Sequence, residues 1–153
     1  MNIDIQEFVR NLRQEGHFLR KRITKRNILK ALREKRAIYK YDAKTGMVYA
    51  FCMLWPTKDP DMFESGTFWV APSFRGNGHG EEVFLKCLAL LPKGAGVFLI
   101  TREIGVLELA RNHGWQLEKS SWTKSEFWRR RAEPWDRVRP GVHSNGILMF
   151  LMP

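Results

Sequence analysis

The stretch 73-SFRGNGHGEEVFLKCLALLP-92 places three glycines within five positions and then continues as an amphipathic helix. It follows TFWVAP (67–72), a β-rich run that stops at a proline, which cannot donate to a sheet ladder. A glycine-rich turn between a strand and a helix N-terminus favours anion binding, because the first N–H groups of the helix point outward and its dipole adds partial positive charge. The stretch therefore predicts a pyrophosphate-binding loop, with Arg75 adding a charged contact.

Two common phosphate-binding motifs do not fit this loop. No Lys-Ser/Thr pair follows the glycines, which argues against a P-loop NTPase. A dinucleotide-binding fold requires GxGxxG after its first strand and an acidic residue about 20 positions later. Here Gly76, Gly78 and Gly80 have the spacing GxGxG and lie in the middle of the chain.

The elements on both sides of the loop predict an α/β protein with a mixed sheet. Alternation of strand and helix in the middle of the chain implies a parallel strand pair there, with antiparallel hairpins on either side. The predicted helices are 4–14, a second capped by Thr24 and reaching Lys35, 80–91, and one capped by Thr101 and ended by Gly114. The predicted strands are AIYKYD, MVYAFCMLWP, TFWVAP, AGVFLIT (95–101), WQLEKSSW and GILMFLMP (146–153), with DPDMFESG and 123–145 as loops.

Composition points to one domain, 1–153, in a reducing compartment. At 44% hydrophobic residues the chain can bury a core without disulfides, and Cys52 and Cys87 are predicted to be buried free thiols. No apolar run reaches the about 18 residues that span a bilayer, and the N-terminus lacks the apolar core of a signal peptide. These features predict a soluble cytoplasmic protein without membrane association. The four histidines lack metal-ligand spacing, so no metal is expected.

Positive charge is concentrated in two segments. The net charge is +10, and residues 10–40 alone carry twelve basic residues against two acidic ones. In 119–139, seven basic residues stand beside three acidic ones and are interleaved with Trp122, Phe127, Trp128 and Trp135. Such a distribution indicates attraction to an anionic partner, although a solvated face that maintains solubility is an open alternative.

The sequence WVAPSFRGNGHGEEVF (69–84) resembles the acetyl-CoA-binding signature of the GNAT acetyltransferase superfamily. That signature is a strand ending near V-x-P, then R/Q-x-x-G-x-G/A, then a helix. Arg75, Gly78 and Gly80 stand at the motif positions, and NHGW (112–115) is similar to the helix exit of the family. The resemblance extends over almost the whole chain. It implies a GNAT-like fold, with a mixed central sheet of about six to seven strands and about four flanking helices.

The resemblance also implies a donor, acetyl-CoA (coenzyme A), and the residues that would bind it. The backbone of the motif strand would pair with the pantetheine arm, and the glycine loop would surround the pyrophosphate. The implied cofactor-binding residues are Trp69, Val70, Ala71, Arg75, Gly76, Asn77, Gly78, His79 and Gly80.

For catalysis, the resemblance implies direct attack of an acceptor amine on the thioester, with one group that takes a proton and one that gives a proton. Glu64, in the position where many members place a glutamate, is the candidate base, and an ordinary solvated loop acid is the alternative. The chain departs from the family at the group that would protonate the leaving thiolate. Ala110 stands in place of the usual tyrosine, and Glu103 replaces a common asparagine of the same helix. His113 is the nearest titratable substitute, although a histidine at a helix end is more often a cap.

In GNAT folds the acceptor groove is framed by the loop between the first two helices and by the connection between the last two strands. Both basic segments coincide with these places, so the predicted acceptor or nucleic-acid contacts are Arg20, Lys21, Arg22, Trp128, Arg129, Arg130 and Arg131. Three hypotheses follow. The chain is an acyl-CoA-dependent N-acyltransferase, or a scaffold without turnover that binds nucleic acid or assembles with a partner. The third hypothesis is a DNA- or RNA-modifying enzyme such as those of some phages.

Overall fold

The computed structural model describes residues 3–15, 20–118, 126–132 and 146–153. The predicted loop 123–145 is described only at 126–132, and its tryptophan Trp135, like the preceding Trp122, lies outside the described residues.

Four α-helices and six strands follow one another along the described chain in the predicted order. They are α1 (Ile5–Gln14), α2 (Lys25–Arg33), β1 (Ala37–Tyr41), β2 (Val48–Pro56), β3 (Met62–Val70), α3 (His79–Leu88), β4 (Gly96–Thr101), α4 (Ile104–Asn112), β5 (Gln116–Leu117) and β6 (Ile147–Leu151). A short 3₁₀ turn, Pro72–Phe74, follows β3, and a π-helical turn, Trp128–Ala132, precedes β6. Among the described residues, no helix has the length and apolarity to cross a membrane.

The strands form one six-stranded mixed sheet in the order β1-β2-β3-β4-β6-β5. The β3–β4 pair is parallel and runs from Met62 opposite Gly96 to Glu64 opposite Phe98. β1 with β2, β4 with β6 and β5 with β6 are antiparallel. The predicted α/β class, the central parallel pair and the flanking antiparallel pairs are confirmed.

The described residues form two compact units, and β3 contributes to both. The first unit contains residues 1–54 and 66–90, so it holds α1, α2, β1, most of β2, the second half of β3 and α3. Its core is built around Phe8, whose ring lies 4.9 Å from Phe51 and 5.7 Å from Trp69. Cys52 and Cys87 are buried free thiols, as predicted, and the hydrogen bond between them raises the pKa of Cys87.

The second unit contains residues 55–65 and 91–153. It holds the start of β3, β4, α4, β5, the π-helical turn and β6. Phe98 is at its centre, fully buried, with the rings of Trp128 and Phe127 edge-on at 5.7 and 6.4 Å. The continuous apolar run of β4 is therefore buried, as the sequence predicts.

Two predicted boundaries were wrong. DPDMFESG was predicted to be a loop, but β3 already begins at Met62, because residues 62–64 pair with β4 despite the weak strand propensity of Glu64. Thr101 does not cap α4. The helix begins after Glu103, and the Thr101 hydroxyl instead accepts a hydrogen bond from the Glu103 N–H, at 3.1 Å. Of the predicted strand WQLEKSSW, Gln116–Leu117 forms β5, and residues 119–122 lie outside the described residues.

Candidate functional site

The glycine loop connects β3 to α3 in the first unit and has the geometry of an anion cradle. Gly78 is the N-cap of α3 and has φ +76°, and Gly76 has φ +80°. A Cβ built on either residue would meet no atom within 4 Å, so both glycines face open space. Glycine is required at both positions because other residues rarely adopt a left-handed backbone. An anion placed at the start of α3 would therefore meet backbone N–H groups and no side chain of these residues.

Gly80 is required for a different reason, because there is little room for a side chain at this position. A Cβ on Gly80 would lie 3.1 Å from the Phe68 ring and 3.3 Å from a methyl group of Val70. The first turn of α3 thus packs directly on the end of β3. This contact fixes the position of the helix N-terminus relative to the strand that precedes it.

Glu15, at the end of α1, links two of the predicted cofactor residues. Its Oε1 accepts hydrogen bonds from the Trp69 indole N–H at 2.9 Å and from Nη2 of Arg75 at 3.2 Å. The Arg75 Nε donates to the Val70 carbonyl at 2.9 Å. The Arg75 side chain is therefore held against the protein, although it is half exposed. Sequence reasoning missed Glu15, because 54 residues separate it from Trp69 and no local pattern links them.

The backbone of the predicted pantetheine segment is partly used within the protein. The Ala71 N–H donates to the Tyr49 carbonyl at 2.8 Å, so this group pairs with β2. Backbone groups of successive strand residues point to opposite edges, so Val70 directs its N–H and carbonyl away from β2. The Val70 carbonyl accepts from Nε of Arg75, so of the predicted residues Trp69, Val70 and Ala71 it is the Val70 N–H whose orientation suits a further partner.

An ionic cluster surrounds the first turn of α3. Lys40 forms an ion pair with Glu82 and lies 3.0 Å from Nδ1 of His79. Lys86 also pairs with Glu82, at 2.7 Å. The hydrogen bonds from Lys40 and Lys86 lower the pKa of Glu82 to about 2. His79 thus contributes a side chain, tied to β1, to the start of the predicted anion site.

Phe74 and Tyr49 form an aromatic wall beside the loop. Their rings stack at 4.3 Å with an interplanar angle of 11°, and the His79 ring lies 5.2 Å from Tyr49. Asn77, by contrast, is exposed within the loop. The predicted cofactor residues from Trp69 to Gly80 thus all lie in the first unit, between the end of β3 and the first turn of α3.

The two candidate catalytic residues lie in the second unit. Glu64 is half-buried on β3 and occupies the last position of the parallel ladder, opposite Phe98. His113 is half-buried at the C-cap of α4, just before Gly114, whose φ of +81° ends the helix as predicted. Ala110, which stands where the family usually has tyrosine, is fully buried.

The predicted acceptor residues divide into exposed and buried groups. Arg20 and Lys21 are exposed, and so are Arg129 and Arg130. Arg22 is only 6% exposed, and Trp128 is 9% exposed because it packs edge-on against Phe98. A nucleic acid cannot reach side chains that are buried in this way. The predictions for Arg22 and for Trp128 as a stacking platform are therefore not retained.

Arg131 also has a structural role. Its Nε donates to Oδ2 of Asp59 at 3.0 Å. Hydrogen bonds from the Asp61 backbone N–H and from Arg131 lower the pKa of Asp59. Arg131 therefore joins the π-helical turn to the segment that precedes β3.

This arrangement of a mixed sheet, a glycine loop and a helix after the third strand defines the GNAT fold. Rv2747 from Mycobacterium tuberculosis, solved in complex with CoA, matches with a TM-score of 0.64 at 18% identity over 100% of this chain and 98% of that one. An acetyltransferase of the GNAT family from Staphylococcus aureus Mu50 matches with a TM-score of 0.64 at 11% identity, over 97% of this chain and 90% of that one.

A third solved structure of this fold is N-acetylglutamate synthase from Neisseria gonorrhoeae, complexed with coenzyme A and N-acetyl-glutamate. It matches with a TM-score of 0.61 at 17% identity over 97% of this chain, which corresponds to 32% of that protein. No family model matches the chain. A search of curated proteins likewise found no match. The chain therefore has the GNAT fold, and the similarity lies in structure rather than in sequence.

We expect Glu15→Gln to weaken acetyl-CoA binding about three- to tenfold, because it removes one ion pair whose strength is reduced by solvent screening at the half-exposed Arg75. The substitution keeps the acceptor for the Trp69 indole but removes the charge that holds Arg75. Calorimetric titration measures the effect. Glu7→Gln, an exposed change on the same helix, is the matched control. Equal affinities for both variants would show that Glu15 does not support the loop.

Proposed function

We propose that the protein is an acyl-CoA-dependent N-acyltransferase, with acetyl-CoA as the donor and an amine on an anionic or nucleic-acid-associated molecule as the acceptor. The observation that carries this proposal is the anion cradle at the start of α3, with Gly76 and Gly78 in the left-handed conformation and facing open space. The GNAT fold, found in two proteins solved with coenzyme A, supports the same donor.

The residues around the loop fit the chemistry of coenzyme A. Its pyrophosphate is an anion, for which the N–H groups of residues 76–80 offer hydrogen bonds without side-chain obstruction at Gly76 and Gly78. Val70, whose backbone points away from β2, is the best candidate for a contact to the pantetheine arm. Arg75 would act by fixing the end of β3 through its bonds to Glu15 and Val70, rather than as the principal pyrophosphate contact.

When bound, acetyl-CoA supplies a thioester whose carbon–sulfur bond breaks as the acceptor nitrogen forms an amide bond. Glu64 is proposed to accept the proton that the nitrogen loses. A half-buried carboxylate in a strand is held in a defined orientation, which suits this role. His113 is proposed to return a proton to the leaving thiolate. Thiolates are adequate leaving groups, so turnover does not require a strong acid at the position of Ala110.

The acceptor class is proposed from the positive charge of the exposed surface. Arg20, Lys21, Arg129 and Arg130 are exposed basic residues in the two segments that the family uses to frame its acceptor. Exposed arginine and lysine attract anions and bind phosphate groups with charge-assisted hydrogen bonds. A nucleic acid, or an amine carried by an acidic molecule, therefore fits better than a cationic acceptor.

A second candidate function is a GNAT scaffold without turnover that binds nucleic acid or a partner. Ala110 favours it, because this fully buried residue leaves no hydroxyl group in the position of the usual acid. Modification of DNA or RNA remains a variant of the first proposal, with the nucleic acid itself as the acceptor.

The deciding experiment is calorimetric titration of acetyl-CoA into the purified protein, followed by an assay for free thiol release with amine acceptors, including nucleic acids and basic proteins. Micromolar binding with thiol release supports the enzyme. Binding without release for every acceptor, together with affinity for nucleic acid, supports the scaffold. Absence of acetyl-CoA binding would overturn the donor assignment and, with it, the enzyme.

A further inference from the structure

A pocket of about 540 Å³ lies against α1, in the first unit. The described residues that line it are Gln6, Val9, Arg10, Arg13, Gln14 and Arg20. The first five share one face of α1, since residues three and four positions apart in a helix are neighbours. None of the six belongs to the glycine loop or to the candidate catalytic residues. The pocket therefore lies outside the donor loop and the candidate catalytic residues, and it shares Arg20 with the proposed acceptor segment.

The lining of the pocket is suited to an anion. It combines three guanidinium groups with two side-chain amides, all of which can donate hydrogen bonds. Nε of Arg13 donates to the Ile23 carbonyl at 3.0 Å, which holds its guanidinium in place at the pocket. Arginine forks match the geometry of phosphate oxygens, and a fixed guanidinium loses less conformational entropy on binding.

The charge around the pocket extends over both helices of the pair. Exposed basic residues continue from the pocket along the connecting segment and α2; they are Lys21, Lys25, Arg26, Lys30 and Arg33. This part of the chain has four acidic residues against eleven basic ones between residues 4 and 36. Glu7 is exposed on the first turn of α1, and Asp4 caps that helix by accepting from the Glu7 N–H. The other two are engaged with partners. Glu15 binds Trp69 and Arg75, and Glu34 binds Arg36, which lowers the pKa of Glu34. The positive charge of the surface is thus weakly opposed.

We propose that the α1 pocket, with its arginines Arg10, Arg13 and Arg20, seats phosphate groups of a nucleic-acid backbone. An extended basic surface around the pocket fits a regular polyanion better than a single small anion, because each neutralised phosphate releases condensed counterions. The proposal rests on the proposed function only in naming the acceptor class. Binding itself requires neither acetyl-CoA nor turnover, so the two proposals can fail separately.

The test is fluorescence anisotropy with a short mixed-sequence DNA duplex, without acetyl-CoA, over a series of salt concentrations. We expect wild-type affinity to fall steeply as salt rises. The double variant R10Q/R20Q should bind at least about tenfold more weakly, with a salt slope smaller by about 2. Both arginines are exposed, so the variant is expected to fold, which circular dichroism checks.

The matched control is K44Q/K93Q, which removes the same charge at two exposed positions outside the pocket. It should change the affinity less than about twofold, because exposed charges at a distance are screened by salt. Equal losses in both double variants, or no DNA binding by the wild type, would overturn the proposal. Displacement of the duplex by polyglutamate as effective as by unlabelled DNA would also overturn it, in favour of an acidic protein partner. Displacement by inorganic phosphate at low concentration would instead identify a small-anion site and overturn the nucleic-acid assignment.

Discussion

Replacing Gly78 with valine is expected to weaken acetyl-CoA binding about 30-fold or more, which corresponds to about 2 kcal/mol of binding free energy. Gly78 has φ +76° at the N-cap of α3. A β-branched residue in this region costs of order 1–3 kcal/mol, so the loop would relax to a negative φ and turn its N–H groups away from the anion. A valine side chain would also occupy the open space in front of the loop, where no protein atom lies within 4 Å of the added Cβ.

The control for this variant is Gly94→Val. Gly94 has φ +83°, is exposed and has no atom within 4 Å of an added Cβ, so the backbone strain is matched. It lies in the turn before β4, in the second unit. We expect both variants to lower the melting temperature by similar amounts and Gly94→Val to bind acetyl-CoA as wild type does. If Gly78→Val kept wild-type affinity, the glycine loop would be a structural turn and not the donor site.

The sequence predicts the loop and its neighbours well because their determinants are local. Glycine spacing, the proline after β3 and the helical periodicity after Gly80 all lie within about 20 residues, the scale at which turn and helix signals operate. The same holds for α2, where the Thr24 hydroxyl accepts from the Asn27 N–H at 3.1 Å, as an N-cap residue does. Local chemistry therefore sufficed to predict the element order and the α/β class, whereas the GNAT fold was implied by the resemblance of residues 69–84 to the family signature.

The features that the sequence does not predict depend on contacts between distant residues. Residues 62–66 are predicted to be a loop because they include poor strand formers such as Glu64 and Gly66, but residues 62–64 pair with the distant strand β4. Glu15 resembles any other acid at a helix end until Trp69 and Arg75 are placed beside it. Trp128 lies in a basic segment typical of a nucleic-acid surface, yet packing against Phe98 buries it.

Glu64→Gln is expected to lower turnover about 100-fold or more, while acetyl-CoA affinity stays at its wild-type value. General bases typically contribute 10²–10⁴-fold, and glutamine keeps the shape of glutamate without its ability to take a proton. Glu64 ends the parallel ladder opposite Phe98, and an isosteric change at this half-buried position should leave β3 intact. The measurement is steady-state thiol release with the best acceptor found, alongside calorimetry with acetyl-CoA.

The control is Glu108→Gln, an exposed change on α4 that should alter neither quantity. The pattern of losses then distinguishes the remaining assignments. A fall in turnover with unchanged donor affinity means that Glu64 acts in the chemical step, since lost binding would appear in the calorimetry. If Glu64→Gln kept wild-type turnover and His113→Gln lost most of it, His113 would be the principal proton-transfer residue. If both variants kept full turnover, catalysis would rest on positioning alone, consistent with the buried Ala110 in place of a tyrosine acid.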